Sequence, residues 1–164
     1  MQYKVISTTT AIEAAGAYAA EDIMSNSDTN DAGVVWTFSN MAREAYGTGT
    51  IIKAIISCET TNVTPRLTLF LYNAAPTCEL DDNAANNGVK NADISQYVGK
   101  IDFPALEDLG GNSEATVVPG GYGGLPIPFK CGATANLFGV LVTRDVLTIT
   151  GGDDIHIKFL VEQY

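Results

Sequence analysis

Alternation of apolar and polar residues at every second position is the dominant pattern in this chain. In TIIKAIISCET, residues 50–60, an extended strand puts Ile52, Ala54, Ile56 and Cys58 on one side and Lys53, Ile55, Ser57 and Glu59 on the other. That predicts one buried face and places the Cys58 thiol in the core. RLTLFLYN, residues 66–73, sets Leu67, Leu69 and Leu71 against Thr68, Phe70 and Tyr72, so both faces of this strand are expected to be covered or bound in an interface. Further strands are predicted at YKVIS near the start, VVWTFS from Val34, YVGKIDF from Tyr97, ATVV near Ala115, LFGVLVT from Leu137 and DIHIKFLVE from Asp154. All are rich in β-branched and aromatic residues and bounded by Gly, Pro, Asn and Asp clusters. About eight short strands with little helix predict an all-β fold, a β-sandwich of jelly-roll type with long loops.

Two segments carry some helical character. AIEAAGAYAAEDIM, residues 11–24, has the propensity, but Gly16 interrupts it and no apolar stripe repeats at 3.6 residues. NADISQYV, residues 91–98, is predicted to make a single turn capped by Asn91 or Asp93. No repeat, linker or charge block marks a second domain, so residues 1–164 are expected to form one β-sandwich domain with an N-terminal arm over about residues 1–10. The compositional outlier is PGGYGGLPIPF, residues 119–129, where four glycines and three prolines surround Tyr122, Leu125 and Ile127. It reads as an irregular loop ending in an edge strand, with an exposed apolar loop that docks on a partner as the alternative.

Charge changes the picture of partners. The sequence has 19 acidic and 9 basic residues and a net charge of −10, without a Lys/Arg run, which disfavours nucleic acid and anionic membrane surfaces. No run approaches the ~18 apolar residues of a membrane span. AYAA near the start imitates a secretory cleavage site, but the residues before it include Lys4, three consecutive threonines and Glu13, so no signal peptide is expected. Cys58, Cys78 and Cys131 fit neither a zinc-binding spacing nor a dense disulfide framework and are expected to be free thiols, as in a reducing cytoplasm.

Candidate chemistry is sparse. Histidine-assisted nucleophilic catalysis would have to use His156, which alternation places on the solvent side of its strand with Lys158 and Leu160. Neither a GxSxG elbow nor a phosphate-binding glycine loop occurs, and no cofactor is implied. LFLYNAAPTCELDDNAANN, residues 69–87, ends a strand in an acidic, Asn-rich loop. With Asp93, its Asp81, Asp82, Asn83, Asn86 and Asn87 could supply oxygens to an irregular Ca²⁺ site, although the spacing is not that of an EF-hand. The acidic pairs Glu107–Asp108 and Asp153–Asp154 read as solvated surface rather than glycosidase carboxylates, and Trp36 reads as a core residue rather than a sugar platform. NVT at Asn62 matches a glycosylation sequon but reads as a hairpin turn.

AYAAEDIM, VVWTFSNMAREAYGTGTIIKAII, LTLFLYNAAPTCELDDNAANN, ADISQYVGKIDF and LFGVLVTRDVLTITGGDDIHIKFLVEQY occur in this order along the chain. Their succession resembles a family of small β-rich structural proteins of tailed bacteriophages and prophages. Glu21 departs from that pattern, which has Gly there, and SNSDTNDAG lengthens the first loop. The resemblance implies a noncatalytic virion protein, a capsid decoration or cement protein made in the host cytoplasm and placed on the capsid exterior. Its implied partners are the major capsid protein and two further copies of itself in a homotrimer; a tail, fibre or head-spike component that binds a host glycan is the alternative. Met1, Gln2 and Tyr3 of the arm, with Tyr122 and Leu125 of the glycine-rich loop, are the expected contact residues. In this family setting the 76–87 loop becomes a crossing loop, closed by Pro76 and by local Asx turns of Asp81, Asp82 and Asn83.

Overall fold

The computed structural model describes residues 1–14 and 16–164. Its strands are β1 (Gln2–Ala11), β2 (Trp36–Phe38), β3 (Thr48–Cys58), β4 (Leu67–Tyr72), β5 (Tyr97–Phe103), β6 (Glu107–Asp108), β7 (Ser113–Val117), β8 (Ile127–Lys130), β9 (Leu137–Thr143) and β10 (Asp154–Gln163). One sheet runs β1-β10-β3-β7-β6 with β8 also on β3, and the other runs β2-β9-β4-β5. Antiparallel partners nest from the chain ends inward: β1 with β10, β2 with β9, β3 with β7 and β8, β4 with β5. Such nesting is the rolled ribbon of a jelly roll, so the expected all-β sandwich is the observed fold.

The main core lies between the sheets. Ile6, Ile51, Ala54, Ile56, Ile157, Phe159 and Val161 from the larger sheet meet Trp36, Phe38, Leu69, Leu71, Ile101 and Leu141 from the smaller one. Gly139 lets the sheets close here, since a Cβ at that position would sit 2.8 Å from Leu69 Cδ1 and 2.9 Å from Phe38 Cε2. Trp36 is buried and donates its indole N–H to the Met24 carbonyl at 3.1 Å, as its reading as a core residue requires.

Several expectations change. Ile52 does not share the core face with Ala54. Leu160 pairs with Lys53 while Val161 pairs with Ile51, so Ile52 is the extra residue of a β-bulge and Ile51 takes the inward position. The N-terminal arm is β1, hydrogen-bonded to β10 from Gln2 to Ala11. Segment 11–24, by contrast, keeps to the expectation of little helix: it is no helix where described, and isolated bridges at Tyr18, Asp22 and Ile23 tie it to Leu147, Ala85 and Val142. A 3₁₀ turn forms at Asn91–Asp93, but its N-cap is Lys90 and no side chain caps it. The Asp93 carboxylate turns instead to Thr77, accepting its N–H at 2.9 Å.

Candidate functional site

The two outer faces of the sandwich differ. On the smaller sheet, alternation sends Phe70, Tyr72, Val140 and Val142 outward, and they form a second apolar cluster with Ile23 and Cys78 beneath the loops that carry residues 18–33 and 74–96. A loop laid over an apolar sheet must find acceptors for its own backbone N–H groups. Buried aspartates supply them. Asp81 accepts from the N–H of Asp31 at 2.8 Å and Gly33 at 2.7 Å. Asp82 accepts from the Tyr18 hydroxyl at 2.9 Å and the Ser25 N–H at 2.8 Å. Asp22 accepts from the Ala19 N–H at 2.6 Å. Burial first, and the Asp82 charge second, push the Tyr18 phenol far above its ordinary range, so it remains a donor.

This geometry redefines the acidic loop. The expected local Asx turns of Asp81 and Asp82 are replaced by long-range clamps on residues about fifty or more positions earlier, while Asn86, which was not among the expected three, makes a local turn by accepting the Gly88 N–H at 3.1 Å. Asn87 accepts the Glu79 N–H at 2.8 Å. Most of the oxygens that a Ca²⁺ ion would use are therefore hydrogen-bond acceptors for the loop itself. The loop SNSDTNDAG is one of the clamped segments, and its Gly33 touches the acidic loop so closely that a Cβ would lie 2.0 Å from the Leu80 carbonyl oxygen.

The roof is incomplete at one edge. There Glu21, Arg66, Thr68, Lys100, Asp102, Tyr122 and Arg144 line a polar groove. Arg66 pairs with Asp145 at 2.7 Å, Lys100 with Asp102 at 2.7 Å, and Arg144 with Glu21. Arg144 also donates to Thr68 Oγ1 at 2.9 Å and lies 5.6 Å from the centre of the Phe70 ring. Each cation has its own carboxylate, so the groove concentrates charge without a large net sign. Hydrogen bonds from Arg66 hold the Asp145 carboxyl down at about 2. For Asp102, partial burial acts upward but is outweighed by Lys100, Thr68 and Arg144, which leave it below the usual carboxylate range. Glu21 has φ of 74°, in the left-handed region that favours glycine.

The larger sheet has an open outer face. Across β1, β10 and β3 it shows the row Val5, Leu160, Lys53, then Ser7, Lys158, Ile55, then Thr9, His156, Ser57, which Glu114 of β7 extends. Val5 and Tyr3 stand largely exposed, and β1 is the sheet edge. Of the expected contact residues, Met1, Gln2 and Tyr3 are exposed at the N-terminal end of this sheet, Tyr3 on its open face, and Tyr122 is exposed at 68% on the groove of the other sheet. The structure does not bring these two groups onto one face. Leu125 is a correction: it is 6% exposed and belongs to the main core. Gly123 and Gly124, both at positive φ, turn the chain between Tyr122 outside and Leu125 inside.

His156 lies on this open face, as alternation predicts, with Nδ1 2.8 Å from Thr9 Oγ1. What the sequence reading missed is its company. Ligand atoms of Glu59, Asp154 and His156 all lie within 4.8 Å of one another. The available signal was strand pairing: once β3 runs antiparallel to β10 with Cys58 opposite Ile155, Glu59 must face Asp154. The three thiols are free and buried, and burial pushes each of them up, Cys131 to about 11. No helix is long and apolar enough to cross a membrane among the described residues.

No protein-family profile matches the chain, and no curated protein matches it. Among solved structures it is similar to a chain of the cyanophage Pam1 capsid asymmetric unit, with 13% identity and a TM-score of 0.37, covering 99% of this chain and 86% of that one. It is also similar to a chain of the full particle of Israeli acute paralysis virus heated to 63 degrees, with 12% identity and a TM-score of 0.39, covering 98% of this chain and 68% of that one. Likenesses at this level carry no argument about function.

Proposed function

We propose that this chain is a noncatalytic structural protein of a virion, one β-sandwich domain over residues 1–164 that decorates and stabilises the outer capsid as a homotrimer bound to the major capsid protein. The observation that carries the reading is the asymmetry of the jelly roll. The chain covers the apolar outer face of its small sheet with its own loops but leaves the edge strand β1 and the face bearing Tyr3, Val5, Ile55 and Leu160 uncovered. An edge strand is a template for pairing, and closed symmetry is the common way to bury such surface. The ordered motif resemblance to tailed-phage structural proteins supports the same reading. So does the net charge of −10, which suits a surface turned away from packaged DNA. The buried free thiols suit synthesis in a host cytoplasm before placement on the capsid exterior.

Quantitative mass spectrometry of purified virions tests this. A copy number equal to that of the major capsid protein, or a simple fraction of it, is the expected result. A handful of copies per particle would replace it with a tail or spike component that binds a host glycan, and absence from the particle would overturn the virion reading. Tyr3→Ser together with Val5→Ser is expected to abolish retention on the capsid while the free protein keeps its unfolding midpoint in urea.

A further inference from the structure

We propose that Glu59, Asp154 and His156 form a surface site for one first-row divalent cation, with Zn²⁺ the best match. The site does not depend on the virion reading. It is built on the firmest part of the fold. Asp154 and His156 are two residues apart on β10 and therefore project from the same side of the strand, while Glu59 follows the last residue of β3 and faces Asp154. The strands are joined at this point by Glu59 N–H to the Asp154 carbonyl at 3.0 Å and by Asp154 N–H to Glu59 Oε2 at 3.0 Å.

Two features point to a cation. Carboxylates directly opposite on neighbouring strands repel each other, and among the described residues neither Glu59 nor Asp154 has an ion-pair partner, although the chain pairs carboxylates elsewhere. A divalent ion turns that repulsion into attraction. The chain's one histidine stands beside them, and its ring is fixed from a third strand through the 2.8 Å contact between Nδ1 and Thr9 Oγ1. In the tautomer that donates Nδ1–H to Thr9 Oγ1, Nε2 keeps its lone pair for a metal, the arrangement in which a neighbouring acceptor fixes the tautomer of a ligating histidine.

The donor set selects the ion. Two carboxylates and an imidazole suit Zn²⁺, which takes His nitrogen and Asp or Glu oxygen and completes its shell with water at an open site. Ca²⁺ prefers oxygen alone and more of it. Since Glu59 is exposed and Asp154 and His156 are half-buried, water can fill the remaining positions. Bound there, the ion would tie the end of β3 to the start of β10 and stabilise the folded chain by mass action.

Isothermal titration of the full chain with ZnCl₂, in a buffer that does not bind metals, tests the site. Saturable binding of one Zn²⁺ per chain is expected, with a rise in Tm, and CaCl₂ is expected to bind at least about tenfold more weakly. His156→Ala and the near-isosteric Asp154→Asn should each weaken Zn²⁺ at least about tenfold, the usual scale for damage to a metal shell, while Glu44→Gln leaves it unchanged. Far-UV circular dichroism and the metal-free urea midpoint show that each variant is folded; if His156→Ala does not fold, Asp154→Asn decides. No saturable binding, or Zn²⁺ binding unchanged in a folded triad variant, which would place the ion elsewhere, overturns the proposal.

Discussion

The outer face of the four-stranded sheet and that of the six-stranded sheet carry the two groups of residues that invite chemistry, and they use their carboxylates in opposite ways. On the small sheet, Asp81, Asp82 and Asp93 are buried and each accepts backbone or side-chain hydrogens from a loop that must be held down. On the large sheet, Glu59 and Asp154 are more accessible and stand against each other beside an imidazole. A buried carboxylate ringed by N–H groups already has the positive partial charges it requires. Density of Asp and Asn in a sequence therefore says less about metal binding than whether the fold leaves those oxygens in want of partners.

The sharpest break of this contrast is Asp82→Ala. It removes the acceptor of the buried Tyr18 hydroxyl and the Ser25 N–H and leaves both donors without it. Losing charged acceptors for buried donors is expected to cost about 3 kcal/mol, measured by urea unfolding. Lys158→Ala on the open face should stay within about 0.5 kcal/mol of the parent, as surface positions do. Equal costs at the two positions would end the distinction between a clamped face and an open one.

Gly33→Ala probes the same roof by volume rather than charge. The added Cβ would overlap the Leu80 carbonyl oxygen at 2.0 Å, so the 25–33 loop must move away and loosen both N–H bonds to Asp81. A loss of about 2 kcal/mol is expected, in the range of overpacking a tight contact. Hydrogen exchange should show faster exchange at Asp31 and Gly33 with β10 amides unchanged in relative protection; no change at Asp31 would mean that the loop is not held by this clamp.

Acid sensitivity sharpens the comparison at the edge of the roof. Asp145, beside Arg66, is held at about 2 in the folded chain, below its ordinary value of about 3.9. The unfolded chain therefore takes up the proton first. The stabilisation is complete above the ordinary value and is lost as pH falls from about 5 toward 2. Asp145→Asn should lower the urea midpoint slightly at pH 7 and converge with the parent near pH 2. A variant whose difference from the parent is constant over that range would show that the pair contributes no pH-dependent stability, as many exposed pairs do not.

Much of the fold was legible in the sequence because alternation survives wherever a strand has one buried side. β5 and β9 occupy the predicted YVGKIDF and LFGVLVT to the residue, and of the two outcomes open to the two-sided apolar pattern of β4, cover or an interface, the chain itself provides cover on both faces. The losses were of another kind. The bulge that turns Ile52 out depends on the register of β10 rather than on its own neighbours, and β6 is two residues of plain acid, Glu107–Asp108, with no apolar period to betray it. Leu125 went inward because two positive-φ glycines redirected the loop. Both carboxylate sites were invisible for one reason: Asp82 meets Tyr18 across 64 positions and Glu59 meets Asp154 across 95. Composition names such residues; only topology pairs them.

Glu21 offers the smallest effect and the finest comparison, because strain and attraction meet in one residue. Its φ of 74° costs a residue with a Cβ roughly 1 kcal/mol, while glycine there would lose about 0.5–1 kcal/mol through its freer unfolded chain. Its ion pair with Arg144 is half exposed and contributes about 0–1 kcal/mol. Glu21→Gly is thus expected to change stability by less than about 1 kcal/mol at low salt. Salt separates the contributions: in 1 M NaCl the Debye length falls to about 3 Å and the pair weakens, so the variant should gain on the parent. A loss above about 2 kcal/mol at both salt concentrations would mean that Glu21 holds the roof through its side chain rather than through a turn that glycine serves as well.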